Sequence, residues 1–143
     1  MPKPDPALLD PSHCPFQCEI ALRVSDLDVN QHVNNVALVE ILQEGRSRFH
    51  RTSYTPLHSG EYSLMVASLS VDFLGECHYG APVFCHSGIT RVGRTSQTIN
   101  QLLVQDDRIV TFCEVVMVST NQGRPAPHPD GFENGATQWM IAR

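Results

Sequence analysis

Residues 25–35 read Ser-Asp-Leu-Asp-Val-Asn-Gln-His-Val-Asn-Asn and gather carboxylates, amides and an imidazole in one short stretch. Asp26, Asp28, Asn30, His32 and Asn34 fall on alternate positions. The stretch reads as a loop or an extended approach segment; where it is extended, alternate residues point the same way and these side chains would line one wall. A helix pattern begins directly afterwards, with Asn34 or Asn35 as its N-cap. A helix N-terminus offers unpaired backbone N–H groups and the positive end of a dipole. A base beside such donors suits acyl transfer. One group activates water or attacks a carbonyl, and the donors hold the oxyanion. Each residue also has a purely structural reading. Asn34 and Asn35 are ordinary caps, Asp26 and Asp28 are ordinary turn formers, and a lone His is more often surface or structural than catalytic.

The elements that must position this stretch follow from periodicity. Phe16 to Val24 alternates as a first strand. A helix is expected over Val36 to Arg51, with Leu38, Ile41, Leu42, Gly45 and Phe49 as its apolar stripe. Its opposite face carries Glu40, Gln43, Glu44, Ser47 and Arg48, with Glu44 and Arg48 spaced to pair. Gly45 costs the helix about 1 kcal/mol relative to Ala, so its place on the apolar face implies a closely packed backbone. After a loop over Thr52 to Tyr62 the period changes from helical to alternating. Met65, Ala67, Leu69, Val71 and Phe73 would form the apolar face of a strand. Three more strands follow at Val83–Arg91, Thr95–Gln105 and Ile109–Ser119, the last two joined by a tight hairpin at Asp106-Asp107. One helix beside a run of antiparallel strands is an α+β layer arrangement. The expected organisation is a flexible proline-rich arm over 1–15, one domain over 16–120, and an irregular tail over 121–143. In that tail Trp139, Met140 and Ile141 could dock back onto the body.

Bulk properties exclude several classes. The chain has 143 residues, of which 41% are hydrophobic and 17% charged, values that suit a single globular domain. A net charge of -5 with scattered Arg residues lacks the footprint of a nucleic-acid binder. No stretch is apolar and long enough to span a bilayer, and Met1 to Cys14 has no apolar signal region, so a cytoplasmic location is expected. Cys14, Cys18, Cys77, Cys85 and Cys113 are an odd set without metal-ligand spacing, so reduced thiols and no metal or other cofactor are expected.

The segment from Ser25 to Asn35 resembles the signature of the 4-hydroxybenzoyl-CoA thioesterase-like hot-dog family, and is especially similar to plant acyl-acyl-carrier-protein thioesterases. Val71-Asp72-Phe73-Leu74, Thr90 to Ser96 and Ile109 to Val118 look like later strands of the same family. The resemblance implies a hot-dog fold, one long central helix wrapped by a curved antiparallel sheet of about five strands. It also implies a homodimer or homotetramer in which two sheets join edge to edge and the active sites lie at the dimer interface. Asp28 matches the catalytic carboxylate, as nucleophile or general base. Asn30 and His32 match residues implicated in the plant enzymes, and Glu76-Cys77 falls where a Glu-Cys pair contributes there. Backbone N–H groups near Asn34 and Asn35 would contact the substrate carbonyl. Some relatives place a catalytic Glu on the helix, for which Glu40 and Glu44 are possible substitutes. A single hot-dog unit looks more like bacterial acyl-CoA thioesterases, and Arg91 and Arg94 would then meet the CoA phosphates.

The leading expectation is hydrolysis of an acyl-CoA or acyl-carrier-protein thioester. Two other readings stay open. Hot-dog enoyl-CoA hydratases also use an Asp, an Asn and a His, though their His comes one residue later than His32. A non-catalytic acyl-CoA-binding protein would keep the segment as a helix cap alone. A thiolate mechanism through Cys77 is a further variant, and it requires a lowered pKa.

Overall fold

The computed structural model describes residues 4–53 and 61–142. The elements run β1 (Phe16–Ile20), α1 (Asn35–Thr52), β2 (Tyr62–Phe73), β3 (Val83–Val92), β4 (Ser96–Gln105), β5 (Arg108–Asn121), β6 (Arg124–Pro125) and α2 (Phe132–Ala136). The five long strands form one antiparallel sheet in the order β1-β3-β4-β5-β2, and the short β6 pairs with β5. The sheet curls around α1, which packs on β1, β3 and β4. This is the hot-dog fold that the sequence resemblance implied.

The helix obeys its pattern. Leu38, Ile41, Leu42 and Phe49 are buried with Gly45 against the sheet. Asn34 is the N-cap, and its side chain accepts the Ala37 N–H at 2.8 Å. Gly45 meets β3 directly: a Cβ there would stand 2.8 Å from the Cys85 Cβ, and closer still to its sulfur. The close approach inferred from sequence therefore exists, and it sets the depth at which α1 lies. Asp106 and Asp107 both take positive φ (51° and 58°), as a two-residue hairpin of matching twist requires.

Four expectations need correction. The first strand ends at Ile20 rather than Val24, because Val24–Asp26 forms a 3₁₀ turn held by the Asp26 carboxylate. In β2 a bulge between Val66 and Ser68 shifts the register, so Met65 pairs with Val118 while Leu69 and Val71 pair with Val115 and Cys113. Met65 therefore leaves the face that Leu69, Val71 and Phe73 share. The proline-rich start holds two 3₁₀ turns, Pro6–Leu8 and Pro11–His13, each capped by a preceding Asp. The tail is not irregular throughout, since α2 forms there and buries Phe132 and Ala136. The segment after α2 docks as expected: the Ile141 N–H donates to Ile89 O at 2.8 Å, and Trp139 meets the Phe49 ring edge-on. Most of the loop expected over Thr52 to Tyr62 lies outside the described residues.

Candidate active site

The stretch before α1 is not the extended wall that alternation suggests. Residues 28–32 fold into a turn, with the Gln31 N–H donating to Asp28 O at 3.1 Å and the Asp28 N–H donating to His32 O at 2.8 Å. Gln31 takes φ 64° to close it. The Asp28 side chain organises this turn. Its Oδ1 accepts the Asn30 N–H at 2.8 Å and the His32 N–H at 3.1 Å. The second carboxylate oxygen has no hydrogen-bond partner among the described residues. Asp28 is thus half-buried, oriented by the backbone, and open on one oxygen.

Asp26 points elsewhere. It is buried, and its carboxylate accepts from the Arg23 backbone N–H at 2.8 Å and the Arg23 guanidinium at 3.1 Å. Its task is to hold the 3₁₀ turn. Asn30 is exposed on the rim of the 28–32 turn, and its backbone rather than its side chain meets Asp28. Sequence reasoning missed Arg23, whose pairing with Asp26 is signalled only by an i, i+3 spacing of opposite charges.

The chain then crosses to the loop after β2. His32 bridges to His78, and the Val33 N–H donates to Cys77 O at 2.8 Å. This brings His32 Nε2 to 3.6 Å from Glu76 Oε2. The His32 ring and the Glu76 carboxylate thus approach each other, while the Asp28 carboxylate meets His32 only at its backbone N–H. A residue that the sequence did not flag fixes the far side. The fully buried Gln105 donates to His78 O at 2.7 Å and to Ala81 O at 3.1 Å, and accepts the His78 N–H at 3.0 Å. The sequence carried no signal for it, since Ser96, Gln97, Thr98, Asn100 and Gln101 make β4 polar over much of its length.

Cys77 is buried beside this cluster, and burial pushes its thiol up to about 11, with Arg108 opposing in part. A nucleophilic thiolate needs the opposite shift. Cys77 thus supports the site through its backbone carbonyl, not its sulfur.

At the start of α1, Asn34 caps Ala37, and the Leu38 N–H returns to Asn34 O. The N–H groups of Asn35 and Val36 carry no such bond among the described residues, as the first N–H groups of a helix have no intrahelical partner. They are the donors available for a developing oxyanion. Glu40 and Glu44 lie on another flank of the helix, in a cleft against the end of β1. There Glu40 stands 3.6 Å from Arg23, and Glu44 accepts from Arg48 at 2.8 Å. Neither joins the Asp28 cluster. Arg91 and Arg94 are exposed at the opposite end of the sheet, Arg91 about 25 Å along β3 from Val83 at ordinary strand rise. Within one chain they do not approach Asp28. Among the described residues, no group of three or more His, Cys, Asp or Glu stands together in a way that could hold a metal ion. No described helix is long and apolar enough to cross a membrane.

Comparison with known proteins agrees with this fold. The profile of the thioesterase-like superfamily matches residues 22–135, and the chain belongs to that family. The match extends from the 3₁₀ turn before Asp28 into α2. Among solved structures, a predicted thioesterase from Bacillus stearothermophilus is 28% identical, with a TM-score of 0.80, over 90% of this chain and 98% of that one. A Thermus thermophilus thioesterase, crystallised with coenzyme A and zinc, is 26% identical, with a TM-score of 0.77, over 87% of this chain and 92% of that one. A 1,4-dihydroxy-2-naphthoyl-CoA thioesterase from Synechocystis shares the fold at 16% identity, with a TM-score of 0.74, over 85% of this chain and 94% of its own. No curated protein matches the chain. Family and relatives together point to thioester hydrolysis as the general chemistry.

Proposed function

We propose that this protein hydrolyses an acyl-CoA thioester, with Asp28 as general base or nucleophile. The observation that carries the reading is the Asp28 carboxylate itself. One oxygen is held by two backbone N–H groups, and the other is uncommitted beside the start of a helix. In the base route the free oxygen takes a proton from water. The resulting hydroxide adds to the thioester carbonyl, and the Asn35 and Val36 N–H groups receive the oxyanion. Collapse breaks the C–S bond, and the proton held by Asp28 goes to the departing sulfur. His32, 3.6 Å from Glu76, orients the thioester or water, and Glu76 keeps that imidazole in place. Asn30 serves through the turn it shares with Asp28.

The choice of CoA over a carrier protein is supported by the Thermus relative, which was crystallised with coenzyme A. The acting unit is proposed to be a homodimer joined along β2. That strand has 12 residues and, among the described residues, a neighbour on one side only. Met65, Val66, Leu69 and Phe73 on it are 55%, 47%, 42% and 45% exposed, an apolar edge of the kind that proteins cover by pairing. Val29 and Val36, 95% and 71% exposed, add apolar surface in the segment that carries Asp28 and at the start of α1. Arg91 and Arg94 would then reach CoA phosphates from the partner subunit. The test is thiol release from acyl-CoAs ranging from short aliphatic to aromatic, with wild type and Asp28→Ala in parallel. Release by wild type and none by the variant is expected. A variant as fast as wild type would remove Asp28 from the chemistry.

A further inference from the structure

Glu76 lies on the 74–82 connection between β2 and β3, a segment outside the ladders of the sheet. The start of that segment is tied to β5, where the Leu74 and Gly75 N–H groups both donate to Val110 O, at 2.9 and 3.2 Å. Further along, His78 stands opposite His32 in an isolated antiparallel bridge. The neighbours make the bond of that bridge, Val33 N–H to Cys77 O at 2.8 Å, so His32 and His78 are a non-hydrogen-bonded pair. Residues in such a pair aim their own N–H and C=O away from each other. Those two groups of His78 need partners on the far side, where no strand stands among the described residues.

Gln105, the last residue of β4, fills that place with its side chain. Its Oε1 accepts the His78 N–H at 3.0 Å and its Nε2 donates to His78 O at 2.7 Å, the pair of bonds a neighbouring strand would give. The other Nε2 proton goes to Ala81 O at 3.1 Å, which closes the turn around Gly80, a residue at φ 109°. Gln105 is fully buried, and both of its amide donors are spent on this one segment. Asp106, next in the chain, approaches the same residue through its ring, with Oδ2 3.5 Å from His78 Nε2. His78 is thus held by backbone and ring to the end of β4, and His32 is held to His78. On the other flank of His32, the Asp28 carboxylate accepts its N–H at 3.1 Å. Glu76 stands two residues before His78, with its Oε2 3.6 Å from His32 Nε2.

We infer that Gln105 is a positioning residue for hydrolysis: by holding the His78 backbone, it sets His32 and Glu76 against the turn that carries Asp28. The inference rests on the thioesterase reading and adds to it a residue that touches no substrate. Without the amide, the His78 N–H and C=O and the Ala81 C=O lose their protein partners, and the segment shifts toward water. His32 moves with it, because the Val33–Cys77 bond ties the two stretches together. Reaction rates are steep in such displacements, and a misplacement of about 1 Å can cost on the order of 100-fold. A residue that only stabilised the fold would lower Tm and leave the rate of the folded enzyme unchanged.

The experiment follows thiol release from an acyl-CoA that wild type hydrolyses, together with Tm, for Gln105→Met and Gln105→Glu, each alone and combined with His32→Ala. Gln105→Met keeps the length of the side chain and removes all three bonds. Its kcat should fall about 10–100-fold, with KM changed less than about threefold. Gln105→Glu, kept neutral by burial, retains an acceptor for the His78 N–H and one O–H donor. It should therefore keep more of the rate than Gln105→Met, and it carries the test if Gln105→Met does not fold. In the His32→Ala background either change at 105 should cost less than about twofold further in kcat, while Tm falls as much as it does alone. Glu76→Gln serves as the background if His32→Ala releases too little thiol to follow. A folded Gln105→Met with wild-type kcat, or the same fold-loss with and without the background change, overturns the inference and leaves thioester hydrolysis intact. A wild type that releases thiol from no acyl-CoA removes the thioesterase reading, and the inference with it.

Discussion

Replacing Gly45 by Ala adds one methyl group where α1 lies on β3. The new carbon would stand 2.8 Å from the Cys85 Cβ and nearer its sulfur, inside any tolerated contact. Both groups are on rigid elements, so the strain must be relieved by moving the helix outward. Overpacking of this kind costs about 1–3 kcal/mol. Ala is the better helix former by about 1 kcal/mol, which offsets part of that cost. The contact is short enough for the upper part of that range, about 2–3 kcal/mol, so the net loss is about 1–2 kcal/mol, or roughly 3–7 °C in Tm for a chain of 143 residues. Thermal and urea unfolding at fixed protein concentration read it. Cys85→Ala removes the sulfur, so the double variant should be less destabilised than the sum of the singles by about 0.5–1 kcal/mol. A Gly45→Ala protein as stable as wild type, or strictly additive changes, would mean that the helix does not sit on Cys85. The depth of the site would then be misjudged.

Other outcomes follow from the same contacts. Asn34→Ala loses the cap on Ala37 and should cost about 1 kcal/mol, with Asn34→Asp retaining most of it; equal stability of the Ala variant in urea would contradict the cap. Leu69→Glu puts a charge on the exposed apolar edge of β2 and should give a monomer by sedimentation with loss of hydrolysis. A fully active monomer would refute the β2 dimer. Burial raises the Cys77 thiol to about 11, so it stays protonated below that pH and becomes thiolate only above it. Cys77→Ser should therefore hydrolyse thioesters with an unchanged pH profile between 6 and 9, whereas an inactive but folded variant would restore a thiolate mechanism.

The parts of the fold legible in the sequence were those whose cause is local. The helix stripe from Leu38 to Phe49, the Asn34 cap and the Asp106-Asp107 hairpin each follow from period or turn chemistry within a few residues. Gly45 was readable because a glycine inside a helix needs a reason. The failures arise where one residue changes the geometry without leaving a compositional mark. Gln31 adopts a left-handed backbone that its side chain does not favour, so the pattern could not decide between a loop and extended chain over 28–32. The bulge after Val66 turns Met65 away from its apparent partners in β2. Arg46 gave no sign of its burial, because a charge on an amphipathic helix is expected on the wet side. The meeting of His32 with Glu76 came from family resemblance rather than from spacing. It depends on the backbone bond between Val33 and Cys77, which no local pattern encodes.

Asp28→Asn tests the central claim most directly. Asn keeps an oxygen for the Asn30 and His32 N–H groups, so the turn stays folded while the basic oxygen is lost. Measured by thiol release on the best acyl-CoA substrate, the variant should fall about 10²–10⁴-fold in kcat with Tm close to wild type. A variant that stays folded and hydrolyses at the wild-type rate would show that the carboxylate shapes the turn and takes no part in the reaction.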